Sequence, residues 1–335
     1  MIGNKCTLFF SYVFMILINN IDAFKSPFNQ WFCIDIIKNI DKSKPYAYRI
    51  GELPLVTWFN DTQPLTTLNI CQHMGSKLDK GKIQNGCLVC PYHGNKHDAK
   101  DRLGKSMIFE DKLWWSYQPT NKLPPATPFY NNKNFETVQF SFDINSNVQD
   151  FMMNTLDINH LSFVHGNILG KNIPPMQHKY KVFDNKITMQ YEYIPNENIA
   201  IFKQDLKHFT NHQIYRYPHS SAAIFSLNKK DVIVVHTNIL PLETKKSRVF
   251  VTVKHNFWKS YFGKMKIEGI LRYIFSQDQA QMSQQYEDNH LKKSILLRKL
   301  LNNEHHLKYV NKMYKEYEYP DMISTMKLYK HHYKS

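Results

Sequence analysis

Two short boxes constrain this chain more than anything else in it: CQHMGSKL, with Cys71 and His73, and CPYHG, with Cys90 and His93. Sixteen residues separate His73 from Cys90, and only five cysteines occur in 335 residues. A disulfide needs no histidine beside each cysteine, so the boxes read as ligand loops that face each other around a metal. Zinc sites usually take a Cys-x-x-Cys knuckle or a helical histidine pair from one loop. Cys87 and Cys90 offer such a knuckle, but no second pair accompanies it. One sulfur and one nitrogen from each loop suits a 2Fe-2S cluster with two cysteines on one iron and two histidines on the other. Cys87 is then read as a buried apolar residue.

The sequence around the boxes reads as β-structure. YAYRIGELPLVTWFNDTQPLTTLNI holds three runs of β-branched and aromatic residues, broken at Gly51-Glu52 and Asn60-Asp61, and runs into Cys71. GKIQNGCLVC repeats the pattern ahead of Cys90. Each Cys/His pair is therefore expected at the tip of a hairpin, in a β-rich module over residues 29–125.

The two boxes resemble those of Rieske proteins. Respiratory-chain Rieske proteins carry a further cysteine in each box; Ser76 and Tyr92 stand there in this chain. The resemblance is therefore to the ferredoxin or oxygenase type, without the disulfide. Oxygenases usually follow the second box with a tryptophan and then a phenylalanine. Asn95 and His97 occupy those places here, which alters the packing expected under the loop and removes no ligand.

Downstream, NSNVQDFMMNTLDINHLSFVHGNILG predicts one helix, with Ser146 and Gln149 as a capping box and Gly166 as its end. Asn154, Asp157 and His160 fall on one face at i, i+3 and i+6. His165 falls off that face unless the helix bends or widens. Two histidines and a carboxylate with open positions make the facial triad of mononuclear non-haem iron oxygenases. Taken alone, such a pair in a chain with sixteen histidines is also what a solvated amphipathic helix would show.

With a Rieske motif upstream, the series Asn154, Asp157, His160 and His165 resembles the iron box of Rieske non-haem iron oxygenases, and most closely the vanillate demethylase-like branch. That resemblance implies an α+β chain: an all-β Rieske domain, then a helix-and-antiparallel-sheet, helix-grip-like catalytic domain over residues 135–300. It implies a Rieske cluster on Cys71, His73, Cys90 and His93 and a mononuclear iron on His160, His165 and a later carboxylate. Asp278, Glu287 and Asp288 are candidates, and Asp278 matches the family position, ahead of a Gln-rich helix. Asp278 as a solvated aspartate at a helix start is the competing reading. The family assigns Asp157 to a bridge between the Rieske centre of one subunit and the iron site of its neighbour, which implies a ring, most simply a homotrimer. Electrons would come from a ferredoxin or ferredoxin reductase, since no Gly-rich nucleotide fingerprint is present. The substrate would be a hydrophobic, aromatic or pigment-like compound that is hydroxylated or oxidatively dealkylated with O2. An electron carrier with a degenerate second domain is the alternative, and a zinc-stabilised binding module a third.

The runs KITMQYEYI, SAAIFSL, DVIVVHTNIL and SRVFVTVKHNFW predict an antiparallel sheet, after which ILRYIFSQDQAQMSQQYEDNH switches to helical spacing. The formal charge of +15 calls for an acidic partner, such as an acidic ferredoxin. Basic residues are scattered, without regular stacking aromatics, which argues against nucleic acid. Residues 301–335 read as a basic helical tail in which His305, His306, His331 and His332 are surface residues. The uncharged run from Thr7 to Ile18 has the length of a signal-peptide core. With DAFKSPF after it, residues 1–24 read as a targeting segment, pointing to a plastid, with a cytoplasmic location as the alternative.

Overall fold

The computed structural model describes residues 27–119, 121, 123–158, 160–169, 178–193, 209–227, 231–287, 305–314, 317 and 319–333. The expected targeting segment lies outside them. Among the described residues no helix is long and apolar enough to cross a membrane.

The N-terminal part is all β: β1 (Phe32–Ile36), β2 (Tyr46–Ile50), β3 (Leu53–Asn60), β4 (Gln63–Leu68), β5 (Lys82–Gln84), β6 (Cys87–Val89), β7 (Lys96–His97), β8 (Lys105–Phe109) and β9 (Lys112–Ser116). They form three small antiparallel sheets, ordered β2-β3-β4, β5-β6-β7 and β1-β9-β8. The turns fall where the sequence breaks, with Gly51 and Asp61 both at positive φ. Gly51 has a second constraint: a Cβ there would lie 2.1 Å from the Pro320 carbonyl oxygen. Trp58 donates its Nε1–H to the Gly86 carbonyl at 3.0 Å and packs with Val56, Leu65, Leu78, Leu88 and both box cysteines in a small core of their own.

The second part is built on β10 (Glu136–Ile144), β11 (His178–Phe183), β12 (Lys186–Tyr193), β13 (Phe209–Arg216), β14 (Ser220–Leu227), β15 (Asp231–Glu243) and β16 (Lys246–His255). These make one antiparallel sheet in the order β10-β16-β15-β14-β13-β12-β11. The predicted single helix is three short pieces: α1 (Val148–Leu156), α2 (His160–Val164) and α3 (Gly166–Leu169). The N-cap of α1 is Asn147, whose side chain accepts from Asp150 N at 2.8 Å, and not Ser146. Ser146 is buried, and its carbonyl accepts from Ser247 Oγ at 2.8 Å. The long α4 (Tyr261–Glu287) lays Ile267, Leu271, Phe275 and Met282 into the apolar core that it shares with α1 and the sheet.

Two C-terminal helices, α5 (His305–Tyr314) and α6 (Met322–Tyr333), complete the chain. They are not a free tail. Val310 and Tyr314 are buried in the catalytic core, while Leu328 is buried among Rieske-domain residues. The side chains of His305, His306, His331 and His332 lie outside the described residues. Leu240 of β15 and Phe250 of β16 join that same Rieske-side core, so the β-module rests on the back of the large sheet.

Candidate metal centres and substrate cavity

The two boxes fold into near-copies. In the first, Gly75 N donates to the Cys71 carbonyl at 2.8 Å, and Cys71 N donates to the Ser76 carbonyl at 2.8 Å. In the second, Gly94 N donates to the Cys90 carbonyl at 3.1 Å, and Cys90 N donates to the Asn95 carbonyl at 2.8 Å. Gly75 and Gly94 have φ of 72° and 74°, a conformation costly for other residues, and no atom lies within 4 Å of where a Cβ would stand. Backbone conformation, not crowding, requires glycine there. Only the second box sits in a hairpin, between β6 and β7; the first links two sheets from β4 to β5. The expected pair of hairpin tips is corrected accordingly.

Cys71 and Cys90 are buried, and their sulfurs hydrogen-bond each other. His73 and His93 are exposed, with ring centroids 4.8 Å apart. Cysteines inside and histidines outside is the ligand order of a 2Fe-2S cluster with mixed ligation. Burial pushes the Cys71 thiol up. At Cys90 burial is outweighed by donors, the backbone N–H groups of Tyr92 and His93 together with Cys71 and the Ser76 hydroxyl, and its thiol is held below the ordinary value. Ser76, at the place of a respiratory-type cysteine, thus reaches the sulfur of the opposite box. Cys87 is half-buried in β6, opposite Gln84. His97 is buried in β7, opposite Leu88 of β6.

The second centre forms where α1 ends. Asp157 leaves helical geometry at ψ 108°, so the chain turns and restarts at His160. That break, and a second one at His165, brings the off-face histidine into line without a widened helix. His160 Nε2 and His165 Nε2 lie 3.5 and 3.0 Å from Asp278 Oδ1, and the three donor atoms are within 4.8 Å of one another. Asp278 is not at a helix start: it lies well inside α4, on the buried stripe of Ile267, Leu271, Phe275 and Met282. A lone carboxylate at a core position needs a partner. The side chain of Glu287 and the whole of Asp288 lie outside the described residues.

Each imidazole is held from behind. His160 Nδ1 donates to the Asp157 main-chain carbonyl at 2.5 Å, and His165 Nδ1 donates to Gln277 Oε1 at 3.0 Å. Both Nε2 atoms are then acceptors turned toward Asp278. His165 Nε2 and Asp278 Oδ1 are buried with no hydrogen-bond partner, though they face each other. Two mutually facing acceptors in a buried pocket fit a cation between them, and about 3 Å is the separation of adjacent ligands at bond lengths near 2.1 Å. Burial lowers the pKa of His160. At His165 burial acts the same way, but the Asp278 carboxylate beside it prevails and raises the value.

Asp157 is half-buried. Its Oδ1 accepts from His160 N at 3.3 Å, so its main-chain carbonyl, not its carboxylate, orients the His160 ring. Asn154 lines the cavity beside the histidines. Gln277 was not singled out in the sequence; adjacency to Asp278 was its only signal.

The cavity at His160, His165 and Asp278 has an empty volume of about 1060 Å³, solvent-open space included. Its wall is apolar, from Leu161, Phe225, Ile233, Val235, Ile270 and Ile274, with Phe257 and Trp258 to one side. Among the described lining residues no lysine or arginine appears.

Residues 30–107 match the Rieske [2Fe-2S] domain, and residues 144–304 match the vanillate O-demethylase oxygenase C-terminal domain. The chain belongs to the Rieske non-haem iron oxygenases. The cofactors of this family are the 2Fe-2S cluster and a mononuclear non-haem iron. The oxygenase component of 3-ketosteroid-9-alpha-monooxygenase from Mycolicibacterium smegmatis is 24% identical over 187 residues, 48% of this chain and 47% of that protein. Aminopyrrolnitrin oxygenase PrnD from Pseudomonas fluorescens is 22% identical over 185 residues, 47% of this chain and 49% of that protein. The matches thus span about half the length of these two relatives. A crystal structure of dicamba monooxygenase bound to dicamba superposes with a TM-score of 0.70 at 14% identity, covering 92% of this chain and 99% of that one. Pseudomonas putida CBB5 NdmA with caffeine gives 0.64 at 15% identity, covering 77% and 82%. The likeness to these structures extends to the fold.

Proposed function

We propose that this chain is the oxygenase component of a system that hydroxylates, or by hydroxylation dealkylates, an uncharged apolar ring compound. The observation that carries this reading is the position of His160, His165 and Asp278 at the wall of an apolar cavity lined by no basic side chain among the described residues. When bound, the cluster supplies electrons one at a time and the iron activates O2 beside the substrate. His160, His165 and Asp278 would hold that iron, with Asp157 and Gln277 fixing the ring orientations. Cys71, His73, Cys90 and His93 would hold the cluster.

The cavity also selects. Gln213 lines the cavity and is nine-tenths buried; its Nε2 donates to the Thr155 carbonyl at 2.8 Å, and its Oε1 is an unpartnered acceptor. A substrate hydroxyl or N–H would satisfy it.

The oxygenase would work as a ring of identical subunits, most simply three, fed by a separate ferredoxin or reductase. Met74 and Tyr92 at the tips of the boxes are 65% and 62% exposed, and Phe163, beside the iron ligands, is 84% exposed. Apolar exposure at both places supports the docking of one subunit's tip against its neighbour's iron site. Asp157 would then lie between the two centres.

The test is O2 uptake by the purified holoenzyme with a reduced ferredoxin and a panel of ring compounds. Uptake coupled to a hydroxylated or dealkylated product is expected with neutral members that carry a donor group. Turnover restricted to carboxylated members, or no coupled product from any neutral member, would contradict it.

A further inference from the structure

A second cavity lies on the opposite face of the large sheet, between it and the Rieske domain. It is lined by Trp31, Cys33 and Trp114 on one side and by β12 to β15 on the other. The registers of those strands place four polar side chains in one lateral row. Lys186 pairs with Arg216, Arg216 with Ser220, and Ser220 with Asn238. Directly paired residues point to the same face, so all four face the Rieske domain, and all four line the cavity. Neighbouring strands are about 4.8 Å apart; within the row the Ser220 hydroxyl is bonded to His236 Nε2 at 2.8 Å and the Lys186 ammonium lies 4.6 Å from the centre of the Phe183 ring, while the Arg216 guanidinium and the Asn238 amide keep unpartnered atoms.

Lys186 and Arg216 are like charges at directly paired positions, with the Lys186 ammonium over the Phe183 ring. Arg216 Nη1 is buried without a hydrogen-bond partner, and Asn238, 1% exposed, has neither Nδ2 nor Oδ1 partnered. None of the described residues lining the cavity is acidic. The acid whose charge reaches Arg216 is Glu110, and it is committed elsewhere: to Lys112 Nζ at 3.5 Å and to Thr127 N and Oγ1 at 2.9 and 2.6 Å. The unpartnered donors on Arg216 and Asn238, with two cationic side chains in the row, call for an anion.

We infer that the row Lys186, Arg216, Ser220 and Asn238 is a binding site for a small oxyanion, a carboxylate or a phosphate, held between the Rieske and catalytic domains. Arg216 and Lys186 supply charge, and the Asn238 amide donates to one anion oxygen. Asn238 Oδ1 would accept from a hydroxyl on the same ligand. The site is separate from the iron chemistry: Ser221 and Thr237, next in sequence to Ser220 and Asn238, line the substrate cavity on the other face.

The test is calorimetric titration of the metal-loaded full chain with inorganic phosphate and, separately, with acetate, alongside thermal melting. Saturable binding of either ion is expected, and whichever binds more tightly identifies the source. Arg216→Gln and Lys186→Gln should each weaken it at least tenfold, with the protein still folded by its melting transition. Asn238→Asp places a carboxylate in the row, and should raise the melting temperature and abolish binding. Absence of saturable binding of both ions would overturn the proposal. So would binding that survives Arg216→Gln and Lys186→Gln unchanged, or an Asn238→Asp variant that melts lower and still binds.

Discussion

At the scale of single residues, the candidate centres are defined by which atoms have partners and which do not. Cys71 and Cys90 have their sulfurs side by side in a small core, whereas Cys87 stands on β6. Cys90→Ala should abolish the Rieske visible and electron-resonance spectra, and Cys87→Ala should leave them. An essential Cys87 with a dispensable His93 would restore the zinc-knuckle reading. Gln213 invites a different experiment, since its side chain lines the cavity and its Oε1 is unpartnered. Gln213→Leu removes an acceptor worth about 1 kcal/mol, so KM for a donor-bearing neutral substrate should rise roughly fivefold while kcat changes less. An unchanged KM would remove Gln213 from recognition.

At the scale of elements, what the sequence made legible was local. The turns at Gly51 and Asp61 and the strands flanking them could be read because turn residues break runs of β-branched and aromatic residues, although β3 is buried along almost its whole length and shows no alternation. β13, FTNHQIYR, could not: Asn211 and Gln213 point inward and His212 outward, so polar residues lie on both faces and periodicity is lost. The helix breaks at Asp157 and His165 carry no proline, and only their tertiary contacts reveal them. Asp278 matches the family position, and its physical signal is the apolar stripe of α4 that it interrupts. Gln277 reaches His165 across 112 residues, and the row from Lys186 to Asn238 needs the register of four strands; neither is visible in one dimension. The cap of α1 shifts by one residue from expectation because Ser146 is committed to packing against β16. Asn147→Ala should therefore lower stability by about 1 kcal/mol, read from the urea midpoint. An unchanged midpoint would show that Asn147 does not cap the helix.

At the scale of the whole molecule, the C-terminal segment ties the two domains together. Glu52 N donates to the Pro320 carbonyl at 2.9 Å, His219 Nε2 meets the Tyr317 hydroxyl at 3.0 Å, and Leu328 fills the Rieske-side core. Such a pairing within one chain suits the proposed ring, in which each tip would serve the neighbouring iron. Asp157→Asn tests that route. The main-chain carbonyl holds His160, so both metal sites should survive the substitution, while turnover falls by orders of magnitude as the charge between the centres is lost. A prereduced cluster should then stay reduced when O2 and substrate are added; rapid reoxidation with product would remove Asp157 from the route. Two distinct iron centres in one chain are tested by iron analysis of the purified protein and of Asp278→Ala. About three irons per chain are expected, falling to about two in the variant with the Rieske spectrum intact. Two irons in the unaltered protein, or three retained in Asp278→Ala, would contradict a chain with two centres.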